Sequence, residues 1–307
     1  MLAFARLLRL SLAPSAAADV VVGVLLGHAG RWPGGSAPWL LVGASLLIYH
    51  GAMALNDWAD RNEDARTRPD RPIPSGAISA GAARCLGWIL PACGVALAAS
   101  LSWQLACGYF LLASCAVVYD LRGRGPWRGP LLLGLCRGGN LALGMALAWT
   151  GTGSGPGADP LLCLAAPALY AAFIVCVSLL GRLEDGQGGA LDQRPGRYVR
   201  GASAALCATP ALGLLVTPAP TPLAWTACTV LALASGLWLL NAIPTKAEWT
   251  RALVGQAMGR ALRSTLPFSA ALALLHAGDS TAARWVVLAV LAAVPLSHAL
   301  RRILPPS

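Results

Sequence analysis

Five of the chain's thirteen acidic residues fall within one short stretch, LNDWADRNEDARTRPDRPIPSG, residues 55–76. They are Asp57, Asp60, Glu63, Asp64 and Asp70, with Asn56, Arg61, Asn62, Arg66, Arg68 and Arg71 interleaved. On a helix, positions 57, 60 and 64 are i, i+3 and i+7, so three carboxylates share one face. Such a row repels itself unless a cation sits among the acids. Hard carboxylate oxygens suit Mg²⁺, which keeps several waters and shares itself with substrate phosphates. The arginines that follow suit phosphate oxygens, because a guanidinium fork binds them bidentately. Pro69, Pro72, Pro74 and Gly76 then end the helix in a rigid loop. A plainer reading, a solvated charged loop, leaves the acid spacing unexplained.

The elements that must hold this stretch are apolar. The run WLLVGASLLIYHGAMA leads directly into it. Of 307 residues, 56% are hydrophobic and 12% charged, against about 25% charged in a soluble domain. Mean hydropathy is +0.62. The expectation is an all-α polytopic membrane bundle in a single domain, residues 1–307. Apolar runs of about bilayer length fall at roughly 13–30, 37–56, 80–100, 102–120, 130–150, 160–181, 201–217, 223–242, 258–277 and 282–301. With the N-terminus inside, twenty Lys and Arg residues fall on cytoplasmic sides and two, Arg31 and Arg284, on outer sides. That bias supports a plasma-membrane protein with both ends cytoplasmic, and puts the acidic stretch on the cytoplasmic side. The net charge of +10 therefore reads as loop charge; no nucleic-acid-binding motif accompanies it. Nine cysteines form no CxxC and read as small packing residues. Four scattered histidines do not suggest zinc.

Residues 1–12 read as an interfacial helix entering the first span; a signal-peptide start is the alternative. Asp19, inside that span, reads as a cavity-lining polar group or as a helix-end carboxylate. In CRGGNLALG, residues 136–144, Arg137 and Asn140 share a face, and Gly138, Gly139 and Gly144 permit close helix approach. Arg137 then faces a diphosphate or an aspartate across a cavity, or forms an internal ion pair. The basic segment 241–263 reads as an amphipathic cytoplasmic connection.

NDWADRNED followed by RPDRPIPSG resembles the first aspartate motif of the UbiA superfamily of intramembrane prenyltransferases. The resemblance implies nine or ten transmembrane helices around a central apolar cavity. It implies Mg²⁺ as cofactor, held by Asp57, Asp60 and Asp64, with Asn56 orienting a carboxylate or a water. Its partners are then a prenyl diphosphate, a membrane-soluble acceptor and the bilayer, with Arg68 and Arg71 on the diphosphate. Members tend to carry a tyrosine and, about five residues on, a lysine; here YDLRGRGP offers Tyr119 and Arg124. A second acidic motif, which would hold another Mg²⁺, is reduced to Glu184 and Asp185, with Arg182 beside them and Asp192 beyond. This reduction, and the pattern around Arg137, resemble the EboC-like branch. Two functions follow: a Mg²⁺-dependent prenyltransferase, or a non-catalytic membrane component that binds and helps export an isoprenoid-like precursor. Diphosphate release separates them.

Overall fold

A computed structural model describes residues 2–122, 125–150, 158–184, 194–216, 219–244, 249–276 and 280–303. Among them every regular element is helical. A short α1, Leu2–Leu7, and a 3-10 turn at Leu10–Leu12 precede α2, Ala13–Gly27. Then come α3, Ala37–Thr67; α4, Ala80–Ala99; α5, Trp103–Arg122; and α6, Arg128–Ala146. The second half holds α7, Pro160–Glu184; α8, Arg194–Ala208; α9, Pro222–Leu240; α10, Arg251–Arg263; α11, Thr265–Leu274; and α12, Thr281–Ile303.

Eight of the ten expected spans are long, apolar helices. The other two are segmented. The run 201–217 is the end of α8 followed by a 3-10 stretch, Thr209–Leu215. Pro210 has no N–H to give the Leu206 carbonyl, so the α-helical ladder stops there. The run 258–277 is split at Ser264 between α10 and α11, and Pro267 likewise cannot bond back to Arg263. Pro91, Pro167 and Pro295, by contrast, lie inside continuous helices.

Helix α2 is the strut of the bundle. It packs on α3, α6, α11 and α12, and Val20, Val22, Val24, Leu25 and Leu26 are buried along it. Its crossing with α6 depends on glycine: a Cβ at Gly144 would stand 2.6 Å from the Val20 carbonyl oxygen and 3.0 Å from the Gly23 Cα. Gly138 likewise abuts the α7 backbone, where a Cβ would lie 2.6 Å from the Pro167 carbonyl oxygen. Gly139 faces only the Leu112 side chain at 3.7 Å, so the two close approaches in this motif are at 138 and 144. Gly144→Ala should therefore push α2 from α6. The expected cost is about 1–3 kcal/mol, as for an overpacked core, read as a lower unfolding midpoint in detergent. An unchanged midpoint would mean that the crossing has slack.

The acidic stretch sits on α3, whose single run of 31 residues carries the apolar wall and the carboxylates without a break. The helix closes at Thr67, where the Arg68 N–H donates to the Asp64 carbonyl at 2.7 Å. The proline-rich loop then folds back on itself: Arg71 N–H donates to Arg68, Ser75 N–H to Arg71 and Ile78 N–H to Pro72. Gly76, at φ +76, takes the left-handed conformation that glycine adopts without strain. The N-terminal segment lies beside this corner. Leu7 is buried with Ala54, Ile78 and Ala83, and His50 Nδ1 meets the Leu8 carbonyl at 2.7 Å.

Trp88 and Trp103 are exposed on the bundle surface, whereas Tyr109 is fully buried.

Candidate active site

The loop after α3 returns Arg71 to the helix face that precedes it. Its Nη1 donates to Asp64 Oδ2 at 2.6 Å and lies 3.7 Å from Asp57 Oδ1. Both carboxylates are almost fully buried, as is Arg71. A second guanidinium comes from the N-terminal segment: Arg9 Nη2 stands 3.1 Å from Asp57 Oδ1 and 3.4 Å from Asn56 Oδ1. Arg9 is held in the left-handed backbone region, φ 48, which is uncommon for a residue with a side chain. Asn56 Nδ2 in turn donates to Asp120 Oδ1 on α5 at 3.0 Å. A chain of polar contacts therefore runs from Arg71 through Asp57, Arg9 and Asn56 to Asp120. Asp60 is half-buried on the same helix, and Arg68 is exposed on the loop.

Of this polar chain, Arg9, Asn56 and Asp120 border a cavity of about 230 Å³ between α2, α3, α5 and α6. Ile48, Met53, Leu112, Ala116 and Leu133 supply apolar wall; its polar lining includes Arg9, Asn56, Tyr119, Asp120, Arg137 and Asn140, with the Ser45 and Tyr49 hydroxyl side chains on α3. Tyr119, a sequence candidate, is thus beside the cavity. Arg182 is placed elsewhere: its Nη1 donates to the Gly125 carbonyl in the α5–α6 connection at 3.1 Å. Arg124, Asp185 and the side chain of Glu184 lie outside the described residues.

Arg137 makes the internal pair that the sequence left as one option. Its Nε and Nη2 each lie 3.1 Å from an oxygen of Asp19, whose side chain is fully buried. Nη2 also reaches the Ser15 carbonyl and the Tyr170 hydroxyl. Tyr170 donates to Asp19 at 2.8 Å. Asp19 thus neutralises Arg137 from behind, and Arg137 rather than Asp19 borders the cavity.

Arg9, Asp120 and Tyr170 complete these networks, yet none was a sequence candidate. Arg9 was a basic residue of an interfacial helix, Asp120 the neighbour of Tyr119, and Tyr170 one aromatic in an apolar run. Their partners lie 48, 64 and 151 positions away, far beyond the reach of local spacing.

Among the described residues no three Asp, Glu, His or Cys side chains form a ready cage for a metal. The donor set is instead that of a shared cation. Asp57, Asp60 and Asp64 offer hard oxygens along one helix, and Mg²⁺ characteristically takes only one or two carboxylates beside substrate phosphates. The buried Nε atoms of Arg9 and Arg71 have no acceptor among the described residues. Buried donors of this kind are normally satisfied, and phosphate oxygens would satisfy them. The residues present therefore fit a Mg²⁺–diphosphate pair.

The sequence profile of the UbiA prenyltransferase family matches residues 18–258. Digeranylgeranylglyceryl phosphate synthase of Methanothrix thermoacetophila is 32% identical over 165 residues, 54% of this chain and 56% of that one. The bacteriochlorophyll synthase 33 kDa chain of Cereibacter sphaeroides is 36% identical over 114 residues, 35% and 38% of the two chains. The chain thus spans about half or less of the length of these curated relatives. A UbiA homologue from Archaeoglobus fulgidus, solved with GPP and Mg²⁺, superposes with a TM-score of 0.63 over 95% of this chain and 99% of that one, at 14% identity. At that identity the likeness is one of fold.

Proposed function

The chain belongs to the UbiA prenyltransferase family, and from that premise we propose that it is an intramembrane, Mg²⁺-dependent prenyltransferase. The observation that carries this reading is the join between two unlike environments. An apolar cavity ends at Arg9, Asn56 and Asp120, which link on to Asp57 and Arg71, and the Nε donors of Arg9 and Arg71 lack acceptors among the described residues. An amphiphile with a long apolar tail and a diphosphate head matches both halves.

In this reading Asp57, Asp60 and Asp64 hold Mg²⁺, which when bound neutralises a diphosphate as leaving group. Arg71 and Arg9 each exchange part of their carboxylate contact for phosphate oxygens. Arg68 adds charge at the loop edge. Asn56, fixed between Arg9 and Asp120, keeps the neighbouring Asp57 carboxylate oriented. Donors aimed at charge that grows as the allylic C–O bond breaks lower the barrier, because they need no reorganisation. The cavity wall excludes water from the prenyl group, and an acceptor captures it. The twenty-to-two bias of basic residues supports a diphosphate end on the cytoplasmic side of the plasma membrane.

The test is diphosphate release by purified protein in detergent, with Mg²⁺, prenyl diphosphates from C10 to C20 and a membrane lipid extract as acceptor source. Release is expected with at least one donor. Asp60→Asn should reduce it about 10²–10³-fold, comparable to losing one preorganised electrostatic contact to the transition state. Mg²⁺-dependent binding without release would instead indicate a non-catalytic binding component. Equal release from the variant would remove the acid row from the mechanism.

A further inference from the structure

Along α6, one turn apart, two cavity-lining residues carry a donor and an acceptor that the proposed donor site does not use. Asn140 is 5% exposed and lines the cavity. Its Nδ2 donates to the Ala16 carbonyl at 3.1 Å, which fixes the amide orientation. Its Oδ1 is then buried without a donor among the described residues. Such an atom is unfavourable unless a ligand or water satisfies it. Arg137, three residues earlier, spends Nε and Nη2 on Asp19, Ser15 and Tyr170. Its Nη1 has no acceptor among the described residues, and the residue borders the same cavity.

We propose that Arg137 and Asn140 form an acceptor subsite for a neutral hydroxyl, an alcohol or a phenol on an apolar body. The hydroxyl oxygen accepts from Arg137 Nη1, and its proton is donated to Asn140 Oδ1. Charge excludes the other classes. A carboxylate would gain little from a guanidinium already neutralised by Asp19, and would meet the lone pairs of Oδ1. An ammonium has no lone pair with which to accept from Nη1. A methyl ether could accept but not donate, leaving Oδ1 unpaired. A hydrogen-bonding site rejects an analogue lacking the hydroxyl far more strongly than an apolar pocket rejects a missing methylene. The subsite rests on the proposed transferase reading for its role as acceptor site. In the transfer, the hydroxyl oxygen forms the new C–O bond to the prenyl carbon. The allylic C–O bond breaks, its electron pair leaves with the diphosphate, and the hydroxyl proton ends on a diphosphate oxygen.

Binding tests the subsite without turnover. The probes are 1-O-hexadecylglycerol, its di-O-methyl ether and palmitate, measured on the purified full chain without prenyl diphosphate. The alcohol is expected to bind at least tenfold more tightly than the ether, and more tightly than palmitate. Asn140→Leu should erase the preference, and Asn140→Ser, which keeps a hydrogen-bonding group, should retain part of it. If Asn140→Leu does not fold, the wild-type comparison and the serine variant still decide. With the diphosphate donor added, Asn140→Leu should raise the acceptor KM about tenfold while the KM for the prenyl diphosphate moves less than twofold. Equal binding of alcohol and ether, tighter binding of palmitate, or a preference that survives Asn140→Leu would each overturn the subsite. A clear preference in a protein that never releases diphosphate would keep the subsite and overturn the transferase reading.

Discussion

Arg71→Leu should both destabilise the protein and strip it of affinity for prenyl diphosphate. Arg71 stands between two buried carboxylates, 2.6 Å from Asp64 and 3.7 Å from Asp57. Without it, Asp64 loses this cation, while Asp57 keeps its contact with Arg9. Breaking a buried pair costs about 3–5 kcal/mol, because the charge left behind is uncompensated. The low end is expected here, since Arg9 still holds Asp57. The same side chain is the one best placed to exchange a carboxylate for a phosphate. A hydrogen bond to a charged group contributes about 1.5–3 kcal/mol, so Mg²⁺-dependent donor affinity should fall about 10–100-fold. Arg71→Lys separates the two effects. A point charge restores most of the stability, but it lacks the fork that matches phosphate geometry. Unfolding midpoints and donor Kd values for wild type, Lys and Leu variants would decide. A Lys variant with full affinity would reduce Arg71 to a counter-charge.

The second large effect belongs to Asp19 and Arg137. Asp19→Leu leaves a guanidinium buried against Tyr170, and Arg137→Met leaves a carboxylate with no exposure at all. Each single change is expected to cost about 3–5 kcal/mol. The double variant Asp19→Leu/Arg137→Met should recover most of that loss, because an apolar pair of similar volume is often no worse than the ions it replaces. The recovered protein would nevertheless lack the donor that faces the cavity. Single variants that unfold near the wild-type midpoint, or a double variant equal to the sum of the singles, would show that the two charges are not coupled.

The donor end of this site was legible because its information is local. Three acids on one helical face and the proline-rich loop that reverses the chain are both written within 22 consecutive residues. The apolar runs likewise announced the long helices by length alone. What stayed hidden was of two kinds. The partners of Asp57, Asn56 and Asp19 come from distant segments of the chain, and nothing in residues 9, 120 or 170 marks them as partners. The segmented spans were hidden because a hydropathy window does not see the missing proline N–H. Proline itself is ambiguous, since three others sit within unbroken helices. For Arg137 the sequence limited the answer to two arrangements, and burial of Asp19 against it selected the ion pair.

The length of α3 has a consequence for how the protein meets its membrane. Thirty-one residues at 1.5 Å each make a rod of about 46 Å, against a hydrocarbon core of about 30 Å. The cavity wall from Ser45 to Asn56 and the carboxylates from Asp57 to Asp64 are successive marks on that one rod. A thicker or thinner bilayer can slide or tilt the rod, but it cannot change the spacing between the marks. The depth at which an apolar tail gives way to its charged head is therefore a property of the protein and not of the lipid. Changing lipid chain length should alter how readily substrates enter, while leaving their alignment on α3 intact.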